Sequence, residues 1–216
     1  ITIDEVDMVC WYETPPLKYN RVKKELTENI VDKVKNVGKF KRFKKRWNET
    51  EGNLKEILES IGYNGVISYT QHHISHLAFS YYTSPFEKAI GLSIDGVGES
   101  QTMLAIYINQ HGFHHIKHLN FPHSLGLIYS AFTAYLGFKP NEGEYKVMGL
   151  APYGDSTIYE KTLEKISSLG GHELFEINEK YFTFRTSEVD MFNNKLIDLI
   201  GFPPRFSDEP IEQHHK

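Results

Sequence analysis

The order of strand and helix patterns between residues 66 and 136 most constrains what this chain can fold into. A β-branched run at 66–69 predicts a strand, and the helical segment at 72–82 should end before Ser84 and Pro85. Three more strands are predicted at 89–94, 103–109 and 113–118. A helix at 125–136 follows, with Gly137 as its cap. The βαβββα order predicts an α/β fold.

The patterns outside this region are shorter and more scattered. We predict a strand at 6–12 and a helix at 54–61 that stops at Gly62. Towards the carboxyl end the predicted elements are a helix at 159–169, a strand at 181–185 and a helix at 189–200.

Composition is ordinary for a soluble globular protein, with 40% hydrophobic and 24% charged residues in a chain of 216. No apolar run approaches the roughly 20 residues that span a bilayer, so we expect no membrane partner. The single cysteine, Cys10, excludes an internal disulfide and fits a reducing compartment. The start has neither an initiator methionine nor a secretory signal, so we expect a cytoplasmic chain cut from a longer one.

A strongly basic block lies in the first quarter of the chain. Its members are Lys33, Lys35, Lys39, Lys41, Arg42, Lys44, Lys45 and Arg46. Such a block attracts polyanions, but Phe40, Phe43 and Trp47 are interleaved with it. These aromatic side chains would bury while the basic ones stay in water. We therefore interpret the block as a solvated segment and do not expect a nucleic-acid partner.

Three histidines crowd the start of the predicted helix at 72–82. His72 and His76 are four residues apart, so on a helix they share one face and could hold a divalent ion. His73 and His76 are three apart, which leaves a second pairing open. A surface pair without a metal is the alternative to both.

Two glycine-containing segments follow strands or precede helices. In the segment 93–99, Asp95 ends a strand and is followed by Gly96 and Gly98. Spaced glycines let backbone amides approach a phosphate while the carboxylate reaches a metal; a capped hairpin turn is the alternative. In the segment 141–154, Glu144 and Lys146 stand where a helix begins, and helix capping is the alternative there.

Taken in order, these segments resemble the NodU/CmcH-type O-carbamoyltransferase family. The matching motifs are His72-His73-Ile74-Ser75-His76-Leu77-Ala78, Asp95-Gly96-Val97-Gly98-Glu99, Pro122-His123-Ser124-Leu125-Gly126, Leu136-Gly137-Phe138, and Glu144-Tyr145-Lys146-Val147-Met148-Gly149-Leu150-Ala151-Pro152-Tyr153-Gly154. The resemblance is strong over residues 64–155 and weaker on either side. We interpret 1–155 as part of the amino-terminal carbamoyltransferase domain, and 156–216 as an insertion and connection.

The resemblance implies a partial actin/hexokinase-like ATPase fold of the ribonuclease H-like kind. It implies transfer of a carbamoyl group from carbamoyladenylate to a hydroxyl of a small-molecule acceptor. Carbamoyladenylate would be made from carbamoyl phosphate and ATP in a separate domain. A divalent metal, Fe²⁺ in the family, would grip the adenylate phosphate. The expected partners are therefore a nucleotide, the acceptor and the rest of the protein's own chain.

The resemblance also suggests roles for particular residues. His72 and His76 match the metal ligands, and Asp95 matches a carboxylate at the metal or phosphate. Gly96 and Gly98 belong to the phosphate segment. The residues that match a region near the nucleoside are Glu144, Lys146 and Gly149. For the base that deprotonates the acceptor, the candidate is His73, although a histidine beside ligands is often a support.

Two departures and three alternatives accompany this interpretation. The family begins with a His-Asp-Ala-Ser-like phosphate segment and a Glu-Glu-Arg run, and residues 1–20 match neither. A third metal ligand, an aspartate, and the adenylate-forming domain are expected beyond Lys216. The alternatives are a non-catalytic nucleotide-binding module, a threonylcarbamoyl transferase acting on tRNA, and a sugar kinase of this fold. The tRNA-modifying relatives carry Glu-Gly where this chain has Ile74 and Ser75, and the kinases lack the histidine pair.

We predict that the isolated 216-residue chain binds metal weakly and does not turn over, because the expected site is incomplete. Calorimetry with Fe²⁺ and an assay of carbamoyl transfer by the purified chain measure this. Steady turnover would contradict the prediction.

Overall fold

The computed structural model describes residues 2–27, 33–170, 173–185, 187 and 191–216. The chain divides into two compact units. The first contains Ile1–Ser93 and Gly98–Lys117, and the second contains Ile94–Val97 and His118–Lys216. Helices and strands occur in both, which agrees with the predicted α/β class. The predicted domain boundary after residue 155 stays a prediction.

The first unit combines helices with two small sheets. Its helices are α1 (Pro15–Thr27), α2 (Lys33–Asn48), α3 (Leu54–Ser60) and α4 (His72–Tyr82). Its strands are β1 (Met8–Trp11), β2 (Val66–Tyr69), β3 (Ala89–Ile94), β4 (Gln101–Asn109) and β5 (Gly112–Asn120). The last residue of β3 and the last three residues of β5 are assigned to the second unit. Short 3₁₀ turns lie at Ile3–Glu5 and Glu51–Asn53.

The chain order β2, α4, β3, β4, β5 confirms the predicted βαβββ order, and the strands pair in two separate sheets. β1 and β2 are parallel, with Met8 opposite Val66 and Trp11 opposite Tyr69. β3, β4 and β5 form a three-stranded sheet in that order. The predicted limits of β2, α4 and β3 are those of the structure, whereas β1 is shorter and β4 and β5 are longer than predicted.

The apolar core of the first unit lies between α4 and β4. Leu77 of α4 packs against Leu104, Ile106 and Ile108, and all four are at most 3% exposed. The β4 residues alternate along the strand and therefore share one face of the sheet. Packing along this face fixes the direction of α4, and with it the face of the helix that carries the histidines.

The basic block is helical, which the sequence analysis did not predict. Its aromatic residues follow helical spacing, and Phe40, Phe43 and Trp47 all lie against Tyr19 of α1. The expected burial is confirmed most clearly for Phe43, at 7% exposure. None of the helices in the described part of the chain is long and apolar enough to cross a membrane.

The second unit has shorter elements. Its helices are α5 (Leu125–Tyr135), α6 (Glu144–Leu150), α7 (Glu160–Ile166) and α8 (Asn194–Ile200). Strands β6 (Ser167–Leu169) and β7 (Phe175–Ile177) pair antiparallel. Its 3₁₀ turns are Ala151–Tyr153, Ser156–Ile158, Glu179–Tyr181 and Gln213–His215. α5 begins where predicted and ends one residue early, at Tyr135. Gly137 follows Leu136 with a φ of 72°, which suits a residue without Cβ.

Three predictions for the carboxyl-terminal region need correction. The helix predicted at 159–169 stops at Ile166, because the next three residues pair as β6 with β7. In place of the strand predicted at 181–185 there is a 3₁₀ turn and a single bridge between Phe182 and Phe192. Of the helix predicted at 189–200, α8 forms the later part, and residues 189 and 190 lie outside the described ones.

We predict that Leu77→Ala lowers the free energy of unfolding by about 2–5 kcal/mol, because it leaves a cavity against β4. Phe79→Ala is the matched control on the same helix, since Phe79 is 74% exposed. Chemical denaturation of both variants measures the difference. Equal losses in the two variants would contradict the assigned core.

Candidate metal centre

His72 and His76 present their rings to each other on the first turns of α4. Their Nε2 atoms are 3.2 Å apart, and the rings are nearly perpendicular, with centroids 4.7 Å apart. His72 is half-buried and His76 is exposed, so the pair faces solvent on one side. Of the two pairings left open by the sequence, this is the one in which the rings meet; His73 is fully buried.

The separation of the two nitrogens fits ligation of one divalent ion. Two imidazole nitrogens bound to one ion at about 2.1 Å, with an angle of about 100° between them, are about 3.2 Å apart. The Nε2 atoms of His72 and His76 lie at the same separation. Imidazole suits Fe, Zn, Cu and Ni alike. The donor chemistry therefore fits the predicted Fe²⁺ as one of several divalent ions.

His73 points into the core and connects α4 to two strands. Its Nδ1 is 2.8 Å from the Ser93 hydroxyl of β3, and its Nε2 is 2.9 Å from the Gln101 carbonyl of β4. A carbonyl can only accept, so Nε2 carries a proton, and Nδ1 can accept from the serine. A general base must reach a proton of its substrate. The predicted role of His73 as base stays a prediction, and its burial favours a supporting role.

The backbone of Gly98 packs closely against the side chain of His72. A Cβ added at Gly98 would lie 2.9 Å from the His72 Cβ, closer than real Cβ atoms pack, and 3.2 Å from two ring atoms. The Gly98 amide donates to the Gln101 carbonyl at 2.9 Å, which fixes the backbone there. A glycine is therefore required for the observed ring position of His72.

Asp95 belongs to the short segment Ile94–Val97 of the second unit, where the start of α5 holds the backbone. The Gly96 amide donates to Asp95 Oδ1 at 2.6 Å. The Ser124 hydroxyl lies 3.1 Å from the Asp95 carbonyl oxygen and 2.7 Å from that of Gly96. Ser124 also caps α5 by accepting from the Leu127 amide. The backbone around Asp95 is thus tied to a helix amino terminus.

Gly126 permits this close approach of α5. A Cβ added there would lie 2.6 Å from the Asp95 carbonyl and the Gly96 nitrogen. Ser124 and Gly126 both lie in the motif that carried the resemblance, but the sequence analysis gave them no role.

The residues predicted for the nucleoside side, Glu144, Lys146 and Gly149, all belong to α6. Glu144 accepts from the Ser130 hydroxyl of α5 at 2.9 Å and from the Asn141 amide at 2.8 Å. Partial burial raises the pKa of Glu144, but these hydrogen bonds outweigh it and leave the pKa below its ordinary value. The Lys146 ammonium lies 5.5 Å from the centre of the Phe138 ring. A Cβ added at Gly149 would meet no atom within 4 Å. The backbone contacts of Glu144 fit the capping alternative, and its role near the nucleoside stays a prediction.

Glu99 is a buried carboxylate to which the sequence analysis gave no role. It is 6% exposed and accepts from the His72 amide, although only Asp95 and the glycines of its motif were given roles. Acidic side chains are mostly exposed in folded proteins, so sequence alone predicts that a glutamate after spaced glycines faces solvent. Its burial depends on contacts with distant segments, which local sequence does not display.

The sequence matches the family described as "Carbamoyltransferase N-terminus" over residues 1–212. The chain therefore belongs to this family, and the resemblance inferred from its motifs is confirmed.

Three relatives show how the chain compares with longer proteins. An uncharacterized protein of Synechocystis is 35% identical over 99% of this chain and 35% of its own length. An uncharacterized protein of Methanocaldococcus jannaschii is 38% identical over 54% of this chain and 22% of its own length. Nodulation protein NolNO of Sinorhizobium fredii is 38% identical over 50% of this chain and 16% of its own length. The chain spans about a third or less of these relatives.

We predict that Gly98→Ala weakens Fe²⁺ binding about tenfold or more, because the new methyl group displaces the His72 ring. Gly38→Ala in α2 is the control, since a Cβ there meets no atom within 4 Å. Anaerobic calorimetry of the full-length protein measures both. An unchanged Fe²⁺ affinity in Gly98→Ala would show that metal binding does not depend on the position of the His72 ring.

Proposed function

We propose that this chain forms the part of a carbamoyltransferase that moves the carbamoyl group of carbamoyladenylate to a hydroxyl of a small-molecule acceptor. Carbamoyladenylate would be made from carbamoyl phosphate and ATP elsewhere in the full-length protein. Family membership supports carbamoyl transfer in general. The paired nitrogens of His72 and His76, 3.2 Å apart, are the observation that carries the metal-assisted form of the reaction. We propose an actin/hexokinase-like fold for the complete domain.

On the sequence resemblance, the proposed metal ligands are His72, His76 and Asp95. Chain connectivity supports the third: Ser93 contacts His73, and Gly98 lies against His72. Only four residues join Ser93 to Gly98, and Asp95 is the second of them. Two imidazoles and one carboxylate form a donor set that Fe²⁺ accepts, leaving further positions for substrate.

In the proposed reaction the acceptor oxygen attacks the carbamoyl carbon. The bond from that carbon to the phosphate oxygen breaks, AMP leaves with the bonding electrons, and the hydroxyl proton passes to a base. A bound divalent ion would neutralise the phosphate of the leaving group and polarise the carbonyl. Gly96 and Gly98 are the proposed phosphate segment, because glycines let a phosphate approach the backbone closely. At Gly98 the contact with His72 and the amide bond to the Gln101 carbonyl count against a direct phosphate contact. His73 is the proposed base because of the sequence resemblance, although its full burial counts against this role.

Glu144, Lys146 and Gly149 are proposed for the nucleoside side. Lys146 supplies a cation close to the surface, where an anionic or aromatic group of a nucleotide can meet it. Gly149 leaves open space on α6. The other proposed partners are the small-molecule acceptor and the remainder of the chain, and we propose neither a nucleic-acid nor a membrane partner.

The test is Fe²⁺ binding and carbamoyl transfer by the full-length protein, in the wild type and in the His72→Ala, His76→Ala double variant. We expect the double variant to lose metal binding and at least about a hundredfold in transfer rate, because the metal-dependent stabilisation of the leaving group is lost. The matched control is His111→Ala, which removes an exposed histidine from the β4–β5 turn.

A double variant that folds, binds no metal and still transfers carbamoyl groups would contradict the metal-assisted reaction. Nucleotide binding without transfer in the wild type would favour the alternative of a non-catalytic nucleotide-binding module. A salt-sensitive shift of tRNA on a gel would instead favour the tRNA-modifying alternative.

A further inference from the structure

Glu99 is a buried carboxylate at a junction of three segments of the first unit. It follows Gly98 in the loop between β3 and β4 and is 6% exposed. Isolated carboxylates are seldom buried to this extent, because the loss of hydration is costly without strong hydrogen bonds. The contacts of Glu99 explain how its burial is compensated.

The carboxylate accepts hydrogen bonds at the amino termini of two helices. The Thr14 amide, directly before α1, donates to Oε1 at 2.7 Å. The amide of His72, the first residue of α4, donates to Oε1 at 3.0 Å and to Oε2 at 3.2 Å. Both amides belong to helix ends where backbone donors have no partner within the helix and negative charge is favourable. The carboxylate thus joins α1 to α4.

The backbone of Glu99 is also held in place. The Arg21 Nε of α1 donates to the Glu99 carbonyl at 2.5 Å. The neighbouring Gly98 amide donates to Gln101. Because both its backbone and its carboxylate are bonded, Glu99 presents a fixed acceptor to the His72 amide. This distinguishes it from a surface glutamate that caps a helix while it samples several rotamers.

The consequence concerns the histidine pair. His72 is both the residue whose amide binds Glu99 and the residue whose Nε2 faces that of His76. A small rotation of the first turn of α4 would change the distance between these nitrogens. The Glu99 carboxylate holds the backbone of His72, whereas close packing against Gly98 restricts the position of the His72 ring.

We propose that Glu99 is a positioning residue of the metal centre, which holds the first turn of α4 so that His72 and His76 bind one ion. This inference rests on the proposed function, in which these histidines are ligands. Glu99 does not touch the ion or the substrate in this proposal. Groups that orient ligands in this way typically contribute about 10–100-fold to metal affinity.

The test uses Glu99→Gln in the full-length protein. The amide has nearly the same shape but places an NH₂ group against one of the two backbone donors, so one hydrogen bond is replaced by a repulsive contact. Glu56→Gln, on the exposed surface of α3, is the matched control for the change of charge. Co²⁺ serves as the probe because its visible absorption spectrum reports the geometry of its ligands.

Three quantities are measured for each protein: Co²⁺ affinity, the Co²⁺ absorption spectrum, and hydrogen exchange of the His72 amide. For Glu99→Gln we expect at least about tenfold weaker Co²⁺ binding. We also expect an altered spectrum and faster exchange at His72, with Glu56→Gln unchanged. If Glu99→Gln does not fold, Glu99→Asp is used, because it keeps the charge but is one methylene too short to reach both helices.

Wild-type affinity and spectrum in a folded Glu99 variant would overturn the positioning role and leave the proposed function intact. If the wild type binds no Co²⁺, the proposed metal site itself fails. In that case the exchange rate of the His72 amide in the variant still tests whether Glu99 holds the first turn of α4. An unchanged exchange rate would overturn this structural role too.

Discussion

The packing of α4 on β4 is the interaction on which the candidate site depends. Leu77 and the alternating β4 residues exclude water from that face of the helix, so its direction is set by hydrophobic burial. Residues four apart then project from a neighbouring face, which leaves His72 half-buried and His76 exposed. Apolar burial alone, however, does not define the rotation and height of the first turn to the accuracy that metal ligation requires.

Two buried polar side chains add hydrogen bonds that hold the first turn of α4. His73 links α4 to Ser93 and to Gln101, the strand positions on either side of the loop that contains Asp95. Glu99 links the first residue of the same helix to α1. Each is fully hydrogen-bonded at the groups described, so burial strengthens these contacts and does not penalise them. The same loop thus supplies the supports of the helix and, in the proposed function, a ligand.

The sequence analysis succeeded where local signals were strong and failed where pairing decided the structure. α4 has the predicted limits because a β-branched run precedes it and the Ser84 and Pro85 pair ends it. The segment of β6 reads as a continuation of α7, because its strand conformation arises only on pairing with β7. The helical spacing of Phe40, Phe43 and Trp47 was present in the sequence but was obscured by the basic residues between them.

The sequence by itself determined the four-residue spacing of the histidines, the Asp-Gly-Val-Gly-Glu segment and the family, because helix periodicity and motif order are properties of the chain alone. Tertiary structure decided which histidine faces solvent and which is buried: His73 lies in the core, beside a pair whose nitrogens meet. It also decided the role of Glu99, whose carboxylate binds the amide of a residue 85 positions earlier. Such contacts depend on how packed elements approach one another, and no local pattern records them.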